Sequence, residues 1–285
     1  MRLRVTPHVA SGNLLRRGLR PTVLARTGHA SGPAVPVAGA AVGVAAQAAS
    51  LAPAIEAVFA ELGKTAPLRG ARLEVEWADA LMVFDVVAGD FARNSDAQLQ
   101  AVATACITEL LGDAAAAHEI RWQLQSDGSH LLIGAIAREY LQLLKDCAQR
   151  HGLRLASIEP DFCLQWNRHA SAAKHGTSVF AVASGQDAVI ACVREGAVAA
   201  ISNGAWFAGP PSDGDGAADP GRLARALAAE RPVRESLLDI RLARLLASMG
   251  LDPATASDLV LVAPAWARSK VSPRWTVVDR DAVPA

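Results

Sequence analysis

Residues Ser129–Pro160 read SHLLIGAIAREYLQLLKDCAQRHGLRLASIEP, and this stretch decides the fold class. His130 to Ile136 is a strand-like apolar run. Tyr140, Leu143, Leu144 and Cys147 then recur at helical spacing, and His151 with Gly152 closes that helix. Leu153 to Ile158 returns to strand character until Pro160 stops it, because proline has no N–H to give a ladder. Working outward, Glu119 to Leu124 meets the His130 strand through the turn-forming run Ser126, Asp127 and Gly128, which predicts a hairpin. Upstream, Ser95 and Asp96 cap a helix with Leu99, Val102, Ala103, Cys106, Ile107, Leu110 and Leu111 on one face and Gly112 at its end. Before it, Leu73, Val75 and Trp77 alternate with charged neighbours, and Leu81 to Val87 forms a second strand beyond Ala78 and Asp79. The order from Leu81 to Ile158 is β-α-β-β-α-β, that of a ferredoxin-like unit.

The flanks are read from the same signals. Ser50 to Leu62 carries Leu51, Ile55, Val58, Phe59 and Leu62 at helical spacing, with Gly63 as its stop. Leu19 to Arg26 reads as a strand, and Ala34 to Ala49 as a flexible Ala/Gly connector. Downstream, Ser178 to Ala183, Ala188 to Val193 and Ala197 to Ser202 predict a meander with turns at Ser184-Gly185-Gln186-Asp187 and Glu195-Gly196. Gly209 to Pro220 is a loop by composition, and helices are expected over Arg222 to Glu230 and Val233 to Met249. Leu259 to Ala263 reads as a buried strand and Trp275 to Val278 as an edge strand.

Length and charge narrow the class. The 285 residues are 51% hydrophobic, enough to bury a core in one large or two modest domains. The 28 basic side chains balance 28 acidic ones, which argues against nucleic acid as a ligand. That zero is an average. Residues 1–55 hold no Asp or Glu and include Arg2, Arg4, Arg16, Arg17, Arg20 and Arg26, so the rest of the chain is acidic. Pro7, His8, Ser11, Gly12 and Asn13 interrupt what a secretory signal would need, and Ala34 to Ala49 falls short of a spanning helix, so a soluble chain is expected. Cys106, Cys147, Cys163 and Cys192 are far apart without a C-x-x-C and read as buried thiols.

Motif searches mostly exclude. No G-x-S-x-G elbow and no G-x-x-x-x-G-K-[ST] loop occurs. Asp213, Asp215 and Asp219 lack the spacing and terminal Glu of a calcium loop and read as solvated. His169 and His175 have no carboxylate or Cys at ligand spacing, so no metal site is expected, and His151 suits a helix C-terminus. The turn at Ser184, Gly185 and Gln186 has the form of a phosphate cradle as well as that of an ordinary hairpin, and the hairpin is the simpler reading.

The words LEVEWADALMVFDVV (73–87), the stretch 129–160 quoted above and WNR (166–168) resemble the actin-like proteins of type IV pilus and type II secretion inner-membrane platforms, the PilM and GspL kind, which are related to FtsA. The resemblance covers about a third of the chain and rests mostly on order beyond Thr177. It implies an α/β, actin-like (ribonuclease H-like) two-lobed fold with an inserted ferredoxin-like β-α-β-β-α subdomain. The first lobe is then 1–170 with the insertion at about 90–158, and the second, shortened lobe is 171–285.

The same resemblance sets the functional expectation. ATP-binding relatives carry an acid in each phosphate turn, whereas here Ala183 stands where the second acid would be and Ala25-Arg26-Thr27-Gly28, read as the first turn, has none. A hard cation needs such oxygens, so ATP is disfavoured, Ser184, Gly185 and Gln186 are a degenerate nucleotide turn, and no catalytic residue is assigned. The expectation is a non-catalytic scaffold, cytoplasmic and peripheral to the inner membrane, binding a membrane-spanning platform protein of the fimbrial-assembly type, with a homodimer also open. Arg16, Arg17 and Arg20 are candidates for membrane or partner contact. The alternative is an actin-fold ATPase or small-molecule kinase whose acids are residues such as Asp85 or Asp187.

Overall fold

The computed structural model describes residues 1–16, 22–31, 43–173, 176–206, 237–252, 254, 256–264, 267–268 and 271–280. The chain divides into two compact units, Met1–Met82 with Thr108–Glu119 and Ala135–Asp161, and Val83–Ile107 with Ile120–Gly134 and Phe162–Ala285.

Two five-stranded sheets share one wiring. The first contains β1 (Arg2–Val5), β2 (Val9–Arg16), β3 (Thr22–Ala30), β4 (Arg72–Trp77) and β8 (Arg154–Pro160), in the order β3-β2-β1-β4-β8. The second contains β9 (Thr177–Ser184), β10 (Asp187–Arg194), β11 (Ala197–Ala205), β12 (Asp258–Ala263) and β13 (Thr276–Asp279), in the order β11-β10-β9-β12-β13. In each, three antiparallel strands are followed by two parallel ones, so both have the 3-2-1-4-5 order of a ribonuclease H-like sheet. Parallel neighbours require a crossover. Helix α1 (Gly43–Thr65) supplies it between β3 and β4, and α3 (Arg138–Arg150) leads into β8.

The remaining sheet is the insertion. It is built from β5 (Met82–Ala88), β6 (His118–Leu124) and β7 (His130–Ala137) in the order β5-β7-β6, with α2 (Asp96–Leu111) between β5 and β6. This keeps the β-α-β-β course and the strand adjacency of a ferredoxin-like unit. The last strand of the expected unit belongs elsewhere, because β8 pairs with β4 in the first sheet.

Several sequence expectations need correction. Residues 1–30 hold three strands, two of them missed, and α1 begins at Gly43, seven residues before the expected start. Gly63 is inside α1, as is Pro53. By length and composition α1 would suffice to cross a membrane; here Leu51, Ile55, Val58, Phe59 and Leu62 are buried in the first core. Helix α4 (Asp161–His169) was not expected, and helix α5 is described over Leu237–Ser248. Leu110 and Leu237, assigned to buried helix faces, are exposed. The second sheet has its full set of five strands, against the expectation of a shortened half. Ala34 to Val42, the acidic loop and the helix at Arg222 to Glu230 lie outside the described residues.

Packing follows from the strand patterns. In β4 the side chains of Leu73, Val75 and Trp77 are buried while Arg72, Glu74 and Glu76 are not, which is the half-buried alternation read from sequence. Ser178–Ala183 and Ala188–Val193 are buried without a break, so both faces of β9 and β10 are covered. Val179, Ala181 and Ala183 join a core with Leu238, Leu242 and Leu246 of α5. Phe180 and Val182 join another with Phe162 of α4, where Trp166 meets Phe180 edge-on at 5.1 Å.

Candidate functional site

Because the two sheets share their wiring, the turns joining their first and second strands are equivalent. In the second sheet this turn is Gly185-Gln186, between Ser184 and its cross-strand partner Asp187. Gly185 has φ 64°, and a two-residue hairpin with glycine in this conformation first is the twist-matched solution for a tight connection. Trp206, fully buried, seals it: its indole N–H donates to the Gly185 carbonyl at 2.9 Å and its backbone N–H to the Gln186 carbonyl at 3.0 Å. Ala183 is buried next to this turn. Its carbonyl accepts from Nη1 of the buried Arg280 at 2.9 Å. A guanidinium therefore stands beside the position at which an acid was expected.

In the first sheet the equivalent turn is Thr6-Pro7-His8, between β1 and β2. The expected site, Ala25-Arg26-Thr27-Gly28, is instead the middle of β3. The Thr6 N–H donates to the Val9 carbonyl at 2.9 Å, and the Val9 N–H donates to Thr6 Oγ1 at 3.0 Å. Pro7 has no N–H. Its carbonyl is held from two directions, by Ser31 Oγ at 2.9 Å and by Nε2 of the buried Gln47 at 2.8 Å. A phosphate cradle needs convergent, uncommitted N–H groups. Here the Thr6 and Val9 N–H groups are bonded to each other's residue, Pro7 has none, and the turn contains no carboxylate.

Two acids at the carboxyl ends of first-sheet strands escaped the sequence reading. Asp79 follows β4 and is 4% exposed, and Asp161 follows β8 and is 1% exposed. The carboxyl ends of parallel strands are where ligands bind in open α/β sheets. Position after an apolar run ending in a tight turn was the available signal for Asp79, and the Pro-Asp helix start for Asp161. The acids offered as alternatives are placed differently, Asp85 within β5 and Asp187 at the start of β10.

Of the basic candidates, Arg16 ends β2 and is exposed, with no ion pair among the described residues, while Arg17 and Arg20 lie outside them. His151 follows α3 as expected, and its Nε2 lies 2.6 Å from Glu56 of α1, which Arg150 also holds at 2.8 Å through Nε. Burial pushes the Glu56 carboxyl up, but the hydrogen bonds from His151 and Arg150 outweigh it and leave it below the usual glutamate range. Cys147 and Cys192 are buried and Cys106 and Cys163 half-buried, none of them in a disulfide. Burial, with Glu56 adding to it, pushes the Cys147 thiol to about 12.

No known protein family and no curated protein sequence matches the chain. Solved structures do. A chain of the PilM-PilN type IV pilus biogenesis complex superposes with a TM-score of 0.60 over 98% of this chain and 87% of its own, at 13% identity. The cytoplasmic domain of EpsL, an inner-membrane component of the type II secretion system of Vibrio cholerae, gives 0.45 at 9% identity over 72% of this chain and 70% of its own. A Bacteroides thetaiotaomicron protein of actin-like ATPase fold and unknown function gives 0.49 at 10% identity over 92% and 81%. With its two identically wired sheets and small inserted sheet, the chain has the actin-like fold, shared over nearly its whole length with a chain of the PilM-PilN complex.

Proposed function

We propose that the protein is a non-catalytic actin-like scaffold at the cytoplasmic face of the inner membrane, binding the cytoplasmic segment of a membrane-spanning partner of the fimbrial-assembly type in a type IV pilus or type II secretion platform. The observation that carries the non-catalytic half is the state of the two equivalent turns. Neither Thr6-Pro7-His8 nor Ser184-Gly185-Gln186 contains a carboxylate, the first has its Thr6 N–H bonded to Val9 and no N–H at Pro7, and the carbonyl before the second is held by Arg280. The partner class is supported by the likeness to a chain of a complex that includes PilN. Peripheral contact with anionic lipid through Arg16, Arg17 and Arg20 is part of the same reading, each basic residue near such a surface adding about 1 kcal/mol.

The test is titration calorimetry with ATP and Mg²⁺, paired with titration of a synthetic peptide of the cytoplasmic segment of a membrane-spanning platform protein of the fimbrial-assembly type from the same genome. The scaffold reading expects no metal-dependent nucleotide binding and measurable peptide binding. Micromolar, Mg²⁺-dependent ATP binding overturns it in favour of an ATPase or kinase.

A further inference from the structure

We propose that the amino-end rim of the first sheet, where β4 and β8 begin, is the surface that rests on a plane of anionic phospholipid headgroups. This rests on the scaffold reading and gives its peripheral lipid contact a place in the fold.

The parallel strands of this sheet segregate charge along their length. β4 and β8 start on Arg72 and Arg154, which stand directly opposite each other, and near their carboxyl ends Glu76 stands opposite Glu159. Like charges directly opposite on neighbouring strands are destabilising, and exchanging Arg154 with Glu159 would turn both pairs into attractions. The sheet instead keeps its arginines at one end and its acids at the other, where the buried Asp79 and Asp161 also lie. β1 runs parallel to β4 and antiparallel to β2, so Arg2 at the start of β1 and Arg16 at the end of β2 fall at the amino end as well. Each of the four neighbouring strands β2, β1, β4 and β8 thus places one arginine there. Arg69 joins them from the loop before β4. The Gly70 N–H donates to the Gly152 carbonyl at 2.7 Å and the Arg154 N–H to the Ala71 carbonyl at 2.9 Å, which ties the loops entering β4 and β8 together. Nε of Arg154 donates to the Gly70 carbonyl at 3.2 Å, and the Arg69 stem lies over Gly152, where a β-carbon would stand 3.2 Å from its Cγ.

The charge on this rim is largely uncompensated. Arg16, Arg69 and Arg154 are exposed and form no ion pair among the described residues, and the carboxylate beside the exposed Arg72, Glu74, is shared with Arg2. Lys64 and Arg150, in the last turns of α1 and α3, are bonded to Glu61 and Glu56 and add no free charge. Val23 and Leu24, brought to the same end beside Leu15 and Arg16, are exposed apolar side chains of the kind that enter a headgroup layer next to cations. The four strands spread the arginines over about 14 Å. A rim of strand ends offers an extended peptide no ladder to join, whereas a plane of headgroups meets all of these cations at once. Because the chain as a whole is neutral, an anionic plane orients it, drawing the basic end in and turning the acidic end away.

The experiment is co-sedimentation of the full chain with phosphatidylglycerol vesicles and, separately, with phosphatidylcholine vesicles. The expected result is binding to phosphatidylglycerol alone, weakened by added salt. The double variant Arg69→Glu with Arg154→Glu is expected to lose about tenfold or more in vesicle affinity. Arg93→Glu with Arg194→Glu, the same charge change at exposed positions outside the first sheet, is expected to bind like the native chain. Arg154→Glu sets opposite charges across from Arg72, so its melting temperature is expected to hold or rise, which separates lost binding from lost folding. Native-like binding to phosphatidylglycerol by the rim variant, or equal binding of the native chain to phosphatidylcholine, overturns the rim and leaves the scaffold standing. No vesicle binding by a native chain that does bind the partner peptide named above has the same consequence. A rim variant that loses the peptide but keeps the vesicles also overturns the proposal, because the occupant is then a protein. Failure of the native chain to bind the peptide counts against the scaffold reading instead.

Discussion

The indole N–H of Trp206 reaches 2.9 Å to the carbonyl of Gly185, so the last described residue after β11 closes the turn between β9 and β10. A fully buried indole that also packs into the α5 core couples turn geometry to core packing. Trp206→Phe keeps most of the packing and loses the bond, for an expected cost of about 1 kcal/mol. Trp206→Ala adds a cavity, for about 4 kcal/mol. Urea unfolding of the two variants checks this, and equal losses would show that the bond rather than the packing sets the cost.

Helix α1 sits directly on β2 at Gly12. A β-carbon there would stand 2.5 Å from Val58 Cγ1 and 2.9 Å from Leu62 Cδ1, both core side chains of α1. Gly12→Ala therefore forces the helix off the sheet, with an expected destabilisation of about 2 kcal/mol, whereas Gly43→Ala meets nothing within 4 Å and should be neutral or better. Thermal melts of the two alanine variants side by side measure the difference.

What could be read in advance depended on how sharply a segment's side chains alternate. The charged-apolar alternation of Arg72–Trp77 and the apolar runs of the second meander left no ambiguity, and the Ser-Gly-Gln-Asp turn fell where it was expected. Strands β1 and β2 escaped because Thr6, Pro7 and His8 follow a run of only four residues and because β2 is half Ala, Ser, Gly and Asn. Missing them displaced the first turn to Ala25–Gly28, where a glycine was the only visible punctuation. The start of α1 was hidden for a different reason, as Gly43 to Ala49 carries one large polar residue, Gln47, and no aliphatic stripe. No periodicity or motif in the sequence singles out Arg280 or Arg241; only the tertiary fold gives them carbonyls to bind.

Acid will loosen the β6–β7 hairpin before it threatens that sheet's core. Burial raises the Asp127 carboxyl, but the bonds from His130 and Ser129 outweigh it and lower it to about 2. An acid lowered on folding contributes stability that is complete above the ordinary aspartate value of about 4 and is lost as pH falls through the folded value. The Ser129 and His130 amides, which donate to Asp127 Oδ1 at 3.0 and 3.2 Å, report this locally. Their exchange protection is expected to drop between pH about 4 and about 2 beyond the change in intrinsic rate. In Asp127→Asn, that extra drop should be absent.

Arg241 offers the sharpest test of how the second sheet is finished. Burial pulls its guanidinium below the ordinary arginine range, yet Nη1 and Nη2 together reach the carbonyls of Ala188, Ser202, Gly204 and Ala205, from β10 as well as β11. Gly204 has φ 152° and leaves room for the guanidinium, whose Cζ lies 3.6 Å from where a β-carbon would be. Arg241→Met removes four charge-assisted bonds to these carbonyls and should cost about 3 kcal/mol. Arg241→Lys restores the charge without the planar fork, and because one ammonium cannot span four acceptors on two strands it should recover less than half of that loss. If lysine recovers nearly all of it, charge rather than fork geometry ties α5 to β10 and β11, and urea midpoints of the two variants decide between them.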